Sequence, residues 1–115
     1  MRLAVIGSRT FTDYKKLEEV LDGYALLNPI TEIISGGAKG VDKLAEQYSK
    51  ARAIPIKVYP AEWDKYGRSA GYRRNTLIVN NCDQVIAFWD GISKGTLHSI
   101  TLAEKIGKEI TVIRI

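Results

Sequence analysis

Short apolar runs without polar alternation recur along this chain, and they alternate with stretches whose apolar residues repeat at helical spacing. Arg2–Gly7 (RLAVIG), Glu32–Ser35 (EIIS, before Gly36-Gly37), Ile56–Tyr59 (before Pro60), Gln84–Trp89 (QVIAFW) and Ile110–Ile113 are the strand-like runs. A strand apolar on both sides needs cover above and below, which is its situation in a parallel sheet between two helical layers. Helical faces lie between these runs: Tyr14, Leu17, Val20, Leu21 and Tyr24; Val41, Leu44, Ala45, Tyr48 and Ala51; a helix from about Gly71 to Asn80; and Leu97, Ile100, Ala103 and Ile106. Thr12 or Asp13 is a suitable cap for the first of these, and Asn28-Pro29 a stop. Right-handed crossovers then predict an α/β fold, a Rossmann-like three-layer domain over residues 1–115, with a five-stranded parallel sheet in the order 3-2-1-4-5. No internal repeat, linker or low-complexity stretch divides it. The polar segment AEWDKYGRSAG, Ala61–Gly71, reads as an irregular functional loop.

Composition narrows the classes. Of the 115 residues, 45% are hydrophobic and 26% charged, which suits a chain that buries a core. No apolar run approaches the roughly 18 to 20 residues that span a bilayer, and Met1 leads directly into a strand, so a cytoplasmic location without a membrane partner is expected. Cys82 is the only cysteine, which removes an internal disulfide, and it is read as a half-buried filler. No ligand spacing for a metal is found, and no cofactor is expected. A net charge of +4 points to an anionic partner, but acids interleave with the Lys and Arg residues. Arg68, Arg73 and Arg74 form the one basic cluster, and no stacking platform is evident, so nucleic acid ranks below a small phosphate ligand.

In a sheet of this order, ligands bind beyond the carboxyl ends of the strands where the order reverses, here between strands one and four. Three segments meet there: Gly7-Ser8-Arg9-Thr10, Gly36–Asp42 and Asp90–Thr96. Gly36-Gly37-Ala38-Lys39-Gly40 runs straight into a helix, so its amides and the helix dipole favour phosphate; the alternative is a plain turn with Asp42 capping the helix. A β-branched residue at Gly37 or Gly40 is then expected to block binding in a domain that still folds. Neither a Walker A loop nor a GxGxxG fingerprint is present. Asp90 and the loop to Ser93, Gly95 and Thr96 repeat the arrangement, with an N-cap by Ser93 or Thr96 as the alternative. Arg9 and Arg74, the latter beside Asn75, are candidate phosphate or ribose clamps, and Trp63 is a candidate base-stacking ring. Trp89 is assigned to the core rim and His98 to a surface or helix-lining position; no nucleophile set can be assembled, so no catalytic residue is named.

Read together, GSRTFTDY (Gly7–Tyr14), SGGAKGVD (Ser35–Asp42), AEWDKYGRSAGYRRN (Ala61–Asn75) and AFWDGISKGT (Ala87–Thr96) resemble the SLOG superfamily in its YspA/YpsA-related branch. The resemblance implies a Rossmann-like nucleotide-binding fold, with Gly36, Gly37, Gly40 and Asp42 at one ligand motif and Ser93, Gly95 and Thr96 at another. Among relatives, the Lonely Guy phosphoribohydrolases use an arginine, matched by Arg74, and a glutamate, at whose position this chain carries Ser99. Without that acid, efficient cleavage of this type is not expected. Other relatives resemble sensors of NAD-derived or ADP-ribose-like signals, and a DNA-processing relative binds single-stranded DNA. The first reading is therefore a sensor or sequestering module for a phosphate-bearing nucleotide-type ligand. A nucleotide N-glycosidic hydrolase, with Arg74, Asp42 or Asp90 in support, is second, and nucleic-acid binding third. A homo-oligomer is expected, paired through a face carrying Leu77, Ile78 and Leu102.

Overall fold

The computed structural model describes all 115 residues. Its elements run β1 (Arg2–Gly7), α1 (Tyr14–Leu27), β2 (Glu32–Ser35), α2 (Val41–Arg52), β3 (Ile56–Val58), α3 (Trp63–Tyr66), a 3₁₀ turn (Gly67–Ser69), α4 (Ala70–Asn80), β4 (Gln84–Trp89), α5 (Lys94–Lys105) and β5 (Glu109–Arg114). The strands form one sheet, in the order β3-β2-β1-β4-β5. Every neighbouring pair is parallel, with Leu3 opposite both Ile33 and Gln84.

The continuous apolar runs of β1 and β4 feed two separate cores. Leu3 and Val5 of β1, with Ile86 and Phe88 of β4, join Leu17, Leu21, Val41, Ala45 and Tyr48 under α1 and α2. Their alternate neighbours Ala4, Ile6, Val85 and Ala87 join Ile78, Val79, Ile100 and Ala103 under α4 and α5. A strand has side chains pointing both ways at a period of two, so only an unbroken apolar run can supply both layers. The edge strands β3 and β5 have only half-buried or exposed residues.

Local signals set the element ends. The Asp13 carboxylate accepts the Lys16 amide at 3.1 Å and caps α1, and the Asn28 amide closes its last turn on the Tyr24 carbonyl before Pro29. The segment expected to be an irregular loop is instead ordered: α3 and the 3₁₀ turn carry the chain into α4, which begins at Ala70. The Trp63 ring lies against Gly71, where an added Cβ would just touch it, so a tertiary contact gives this polar segment its shape. Two smaller expectations also change. Cys82 is fully buried, and Ile78 packs into the core under α4 and α5, leaving Leu77 exposed and Leu102 half-buried. No helix is long and apolar enough to cross a membrane.

Candidate functional site

The chain leaves β1 toward α1 on one face of the sheet and leaves β4 toward α5 on the other, which opens a cleft between their carboxyl ends. The cleft holds about 450 Å³. The end of β1 and the segment after it line the cleft with Ile6, Gly7, Ser8, Arg9 and Thr10. The β2–α2 connection adds Ala38 and Asp42, the α3–α4 segment adds Trp63, Arg68, Arg74 and Asn75, and the β4–α5 connection adds Asp90, Ser93, Gly95 and Thr96.

Hydrogen bonds tie these loops to one another. The Asp90 carboxylate accepts the amides of Ile92 and Ser93, both at 2.8 Å, through Oδ1, and the Ser8 hydroxyl at 3.2 Å through Oδ2. These donors, the two amides first, hold the Asp90 pKa below the usual carboxylate range. Asp90 therefore fastens the β4 loop to the β1 loop. Neither Ser93 nor Thr96 caps α5 with its side chain; their hydroxyls meet each other at 3.1 Å. The first bond of α5 runs from the Leu97 amide to the Ser93 carbonyl, so the amides of Lys94, Gly95 and Thr96 precede the helical ladder.

Arg74 connects the other two walls. Its Nη1 donates to the Gly36 carbonyl at 2.8 Å and its Nε to Asn75 Oδ1 at 3.0 Å, while Nη2 makes no hydrogen bond within the chain. Asn75 Nδ2 in turn reaches the Gly95 carbonyl at 3.3 Å and His98 Nδ1 at 3.2 Å. With the amide oriented by Arg74, His98 Nδ1 is the acceptor. The Tyr72 ring covers His98 at 4.4 Å between centroids. Burial lowers the Arg74 pKa, and the charge of Asp42 opposes that shift.

Asp42 is 7% exposed. It does not cap α2, as the alternative reading would have it; its Oδ2 accepts the Ala38 amide at 3.0 Å and so closes the glycine loop on itself. Burial raises its pKa, against the lowering effects of that amide, Arg74 and Arg9. No ion-pair contact joins Asp42 to either arginine. The cleft therefore holds a desolvated carboxyl and a desolvated guanidinium that do not neutralise each other by contact.

Most of the expected site residues come together here, but Gly36, Gly37, Lys39 and Gly40 do not line the cleft. Their glycines serve the packing. A Cβ at Gly36 would strike the Arg74 guanidinium, and one at Gly40, where φ is +71°, would enter the backbone of Ser8 and Arg9. Gly37 also has a positive φ, and a Cβ there would press on Val58. Lys39 is exposed. The expectation that both Gly37 and Gly40 tolerate a β-branched residue thus fails at Gly40, where backbone already occupies the space.

Gly71 and Tyr72 line the cleft without having been singled out, and Ser99, noted only as standing where a relative carries a glutamate, lines it too. Ser99 was legible in principle, since it stands three residues after Thr96 on the same helix face. Tyr72 and Gly71 were not, because their position depends on how α3 docks on α4. Trp63, the candidate stacking ring, and Tyr72 are each 52% exposed and line the cleft, so a second aromatic ring stands beside the one that was expected.

The sequence profile of the family described as YAcAr: YspA, cpYpsA-related SLOG family matches residues 1–66. The fold is similar to DNA processing protein A (DprA) from Streptococcus pneumoniae, with a TM-score of 0.82 at 23% identity over 99% of this chain and 50% of that one. It is also similar to DNA processing protein A from Helicobacter pylori, whose structure concerns its single-stranded DNA binding mode, with a TM-score of 0.69 at 24% identity over 97% of this chain and 64% of that one. The chain thus spans half the length of the first and less than two thirds of the second, and at these identities the likeness is one of fold. No curated protein sequence matches the chain.

Proposed function

Because this chain belongs to the YspA, cpYpsA-related SLOG family, we propose that residues 1–115 form one binding module for a phosphate-bearing nucleotide or an NAD- or ADP-ribose-derived ligand. One observation carries the reading: Gly95 and Thr96, whose amides precede the α5 ladder, and Arg74, whose Nη2 has no partner within the chain, line one 450 Å³ cleft together with two exposed aromatic rings. Amides at a helix N-terminus and a guanidinium fork suit phosphate, and an aromatic face suits a base. The volume falls within the range of small-ligand sites. In this reading Ser8, Arg9, Ala38, Asn75 and Thr96 shape the walls around the ligand, and the glycine loop acts by holding Arg74 and Ala38 in place.

The test is thermal denaturation with AMP, NAD and ADP-ribose at millimolar concentration. At about 100 times its dissociation constant a ligand adds about 2.7 kcal/mol, on the order of 10 °C for a domain of this size. No shift and no calorimetric heat with any of them would remove the reading. The same mixtures report on hydrolysis: free base appearing with time would make the protein an enzyme, and Asp42→Asn should then abolish release, since Asp42 is the buried cleft carboxyl with a raised pKa.

Nucleic acid is a second reading, favoured by Trp63 and Tyr72 at the mouth beside exposed Arg68 and Arg73 and by the fold shared with a protein whose single-stranded DNA binding is described. Rings interleaved with cations are the usual means of holding unpaired bases. Fluorescence anisotropy with a labelled oligonucleotide distinguishes the two: sub-micromolar binding at physiological salt, lost in Trp63→Ala, would place nucleic acid first.

A further inference from the structure

His98 stands outside the cleft but ends a chain of hydrogen bonds that begins on its wall. Arg74 is fixed by Nη1 on the Gly36 carbonyl and by Nε on Asn75 Oδ1, and Nη2 is the nitrogen left without a partner. The Asn75 amide has no choice of orientation. Because the Arg74 Nε–H can only donate, Oδ1 must face it, and both hydrogens of Nδ2 are then taken, one by the Gly95 carbonyl and one by His98 Nδ1. His98 Nδ1 therefore carries no proton, and in the neutral ring the proton sits on Nε2. The Tyr72 ring covers the imidazole at 4.4 Å between centroids, and Asn75 is 8% exposed, so a partner lost here is poorly replaced by water.

We infer that His98 is a positioning residue for the cleft: its unprotonated Nδ1 locks the Asn75 amide, and through it the Arg74 guanidinium, so that protonation of the ring releases the arginine. An imidazolium sets Nδ1–H against Nδ2–H, two donors with no acceptor between them. Tyr72 limits the retreat of the ring, so the amide is the group that gives. When it turns, Nδ2 meets Arg74 Nε and Oδ1 meets the Gly95 carbonyl, and both of the other bonds are lost as well. Helix α5 packs on α4, β4 and β5. Of their titratable groups, Tyr72 faces the ring and Arg74 reaches it only through Asn75. Arg73, Glu109 and Arg114, like Lys94, Glu104 and Lys105 on α5 itself, leave its pKa unmoved, and burial alone lowers it. Release therefore falls below the ordinary imidazole value of about 6.5. At the other end of the chain of bonds Arg74 feels the charges of Asp42 and Arg9. The effect on affinity rests on the nucleotide reading of the cleft, whereas the hold on Arg74 does not.

The chain has one histidine, so the imidazole nitrogen resonances of the full, untagged chain report on His98 alone. At pH 7 they should show the Nε2–H tautomer, and between pH 7 and pH 5 the Arg74 Nε–H signal should move with the midpoint of the ring. In Asn75→Ala the ring should still titrate while the Arg74 signal no longer follows it, which separates a bonded connection from the arrival of a charge. His98→Gln, which keeps an acceptor for Asn75 but does not titrate, should hold the Arg74 signal at its pH 7 position throughout. The opposite tautomer, or an Arg74 signal in the parent that ignores the ring midpoint, would overturn the positioning role. ADP-ribose is the probe for affinity, because its bridging phosphates do not titrate in this range as a phosphate monoester does near pH 6. Calorimetry should find it bound about tenfold more weakly at pH 5 than at pH 7 by the parent, and within about twofold at the two pH values by His98→Gln. Equal pH dependence in the two proteins would overturn the link to the cleft. If ADP-ribose binds at neither pH, the nucleotide reading of the cleft fails for this ligand, and the resonances still decide the role of His98.

Discussion

The glycines of the β2–α2 loop show how one residue type can be placed by different forces within five positions. Gly40 is required by backbone proximity and Gly36 by the guanidinium of Arg74. Gly40→Val should therefore lower the melting temperature by well over 10 °C or prevent folding, because a β-branched side chain there needs both a left-handed φ and space held by Ser8 and Arg9. Gly37→Val, opposed by positive φ and a movable Val58 side chain, should cost about 1 to 2 kcal/mol. Urea denaturation of the two variants gives the order, and equal stability would refute this account of the loop. Arg74→Ala should lose tenfold or more in nucleotide affinity and about 1 to 3 kcal/mol of stability, since the Gly36 carbonyl loses its donor. A variant with parental affinity would remove Arg74 from the site.

At the level of elements, α4 and α5 are joined at the cleft by Asn75, which links Arg74 to the Gly95 carbonyl and to His98. Burial lowers the His98 pKa, so the fold favours the neutral ring. The stabilisation that follows is fully present above the ordinary imidazole pKa of about 6.5 and is lost as pH falls through the lowered value. Protonation also places a donor on Nδ1, facing the Asn75 amide. The parent should therefore lose more thermal stability than His98→Gln between pH 7 and pH 5, measured by circular dichroism. Parallel curves for the two proteins would show that His98 does not carry the acid sensitivity.

For the whole molecule, we propose self-association through the α4–α5 face. Its composition differs from the sequence expectation, because Ile78 is buried and the exposed apolar residues are Leu77 and Leu97, at 48% and 44%. Light scattering at high micromolar concentration should show a dimer, and Leu77→Asp should shift it to monomer. A parent that scatters as a monomer throughout would end the proposal. The open edges β3 and β5 are each covered by one neighbour only, and Lys57 on β3 and Arg114 on β5 place charges there, a usual guard against strand addition.

What the sequence determined by itself is the layered fold and its strand order. Unbroken apolar runs at β1 and β4 need cover on both faces, and the handedness of crossovers leaves few ways to supply it. The position of the cleft follows from that order, so Ser8, Arg9, Ala38, Asp42, Asp90 and Thr96 were legible as loop residues after particular strands. Only the tertiary structure decided what each side chain does there. Asp42 closes its own loop instead of capping α2, while Asp90 binds two loops together and Arg74 ties Gly36 to Asn75 with Nη2 left unpartnered, roles that depend on partners far away in the chain. The order of Ala61–Ser69 had the same origin: a polar segment without periodicity carries no local signal, and it takes its shape from Trp63 docking on Gly71. Likewise Lys16 and Arg114, far apart in the chain, come to line one shallow cavity only because β5 pairs with β4.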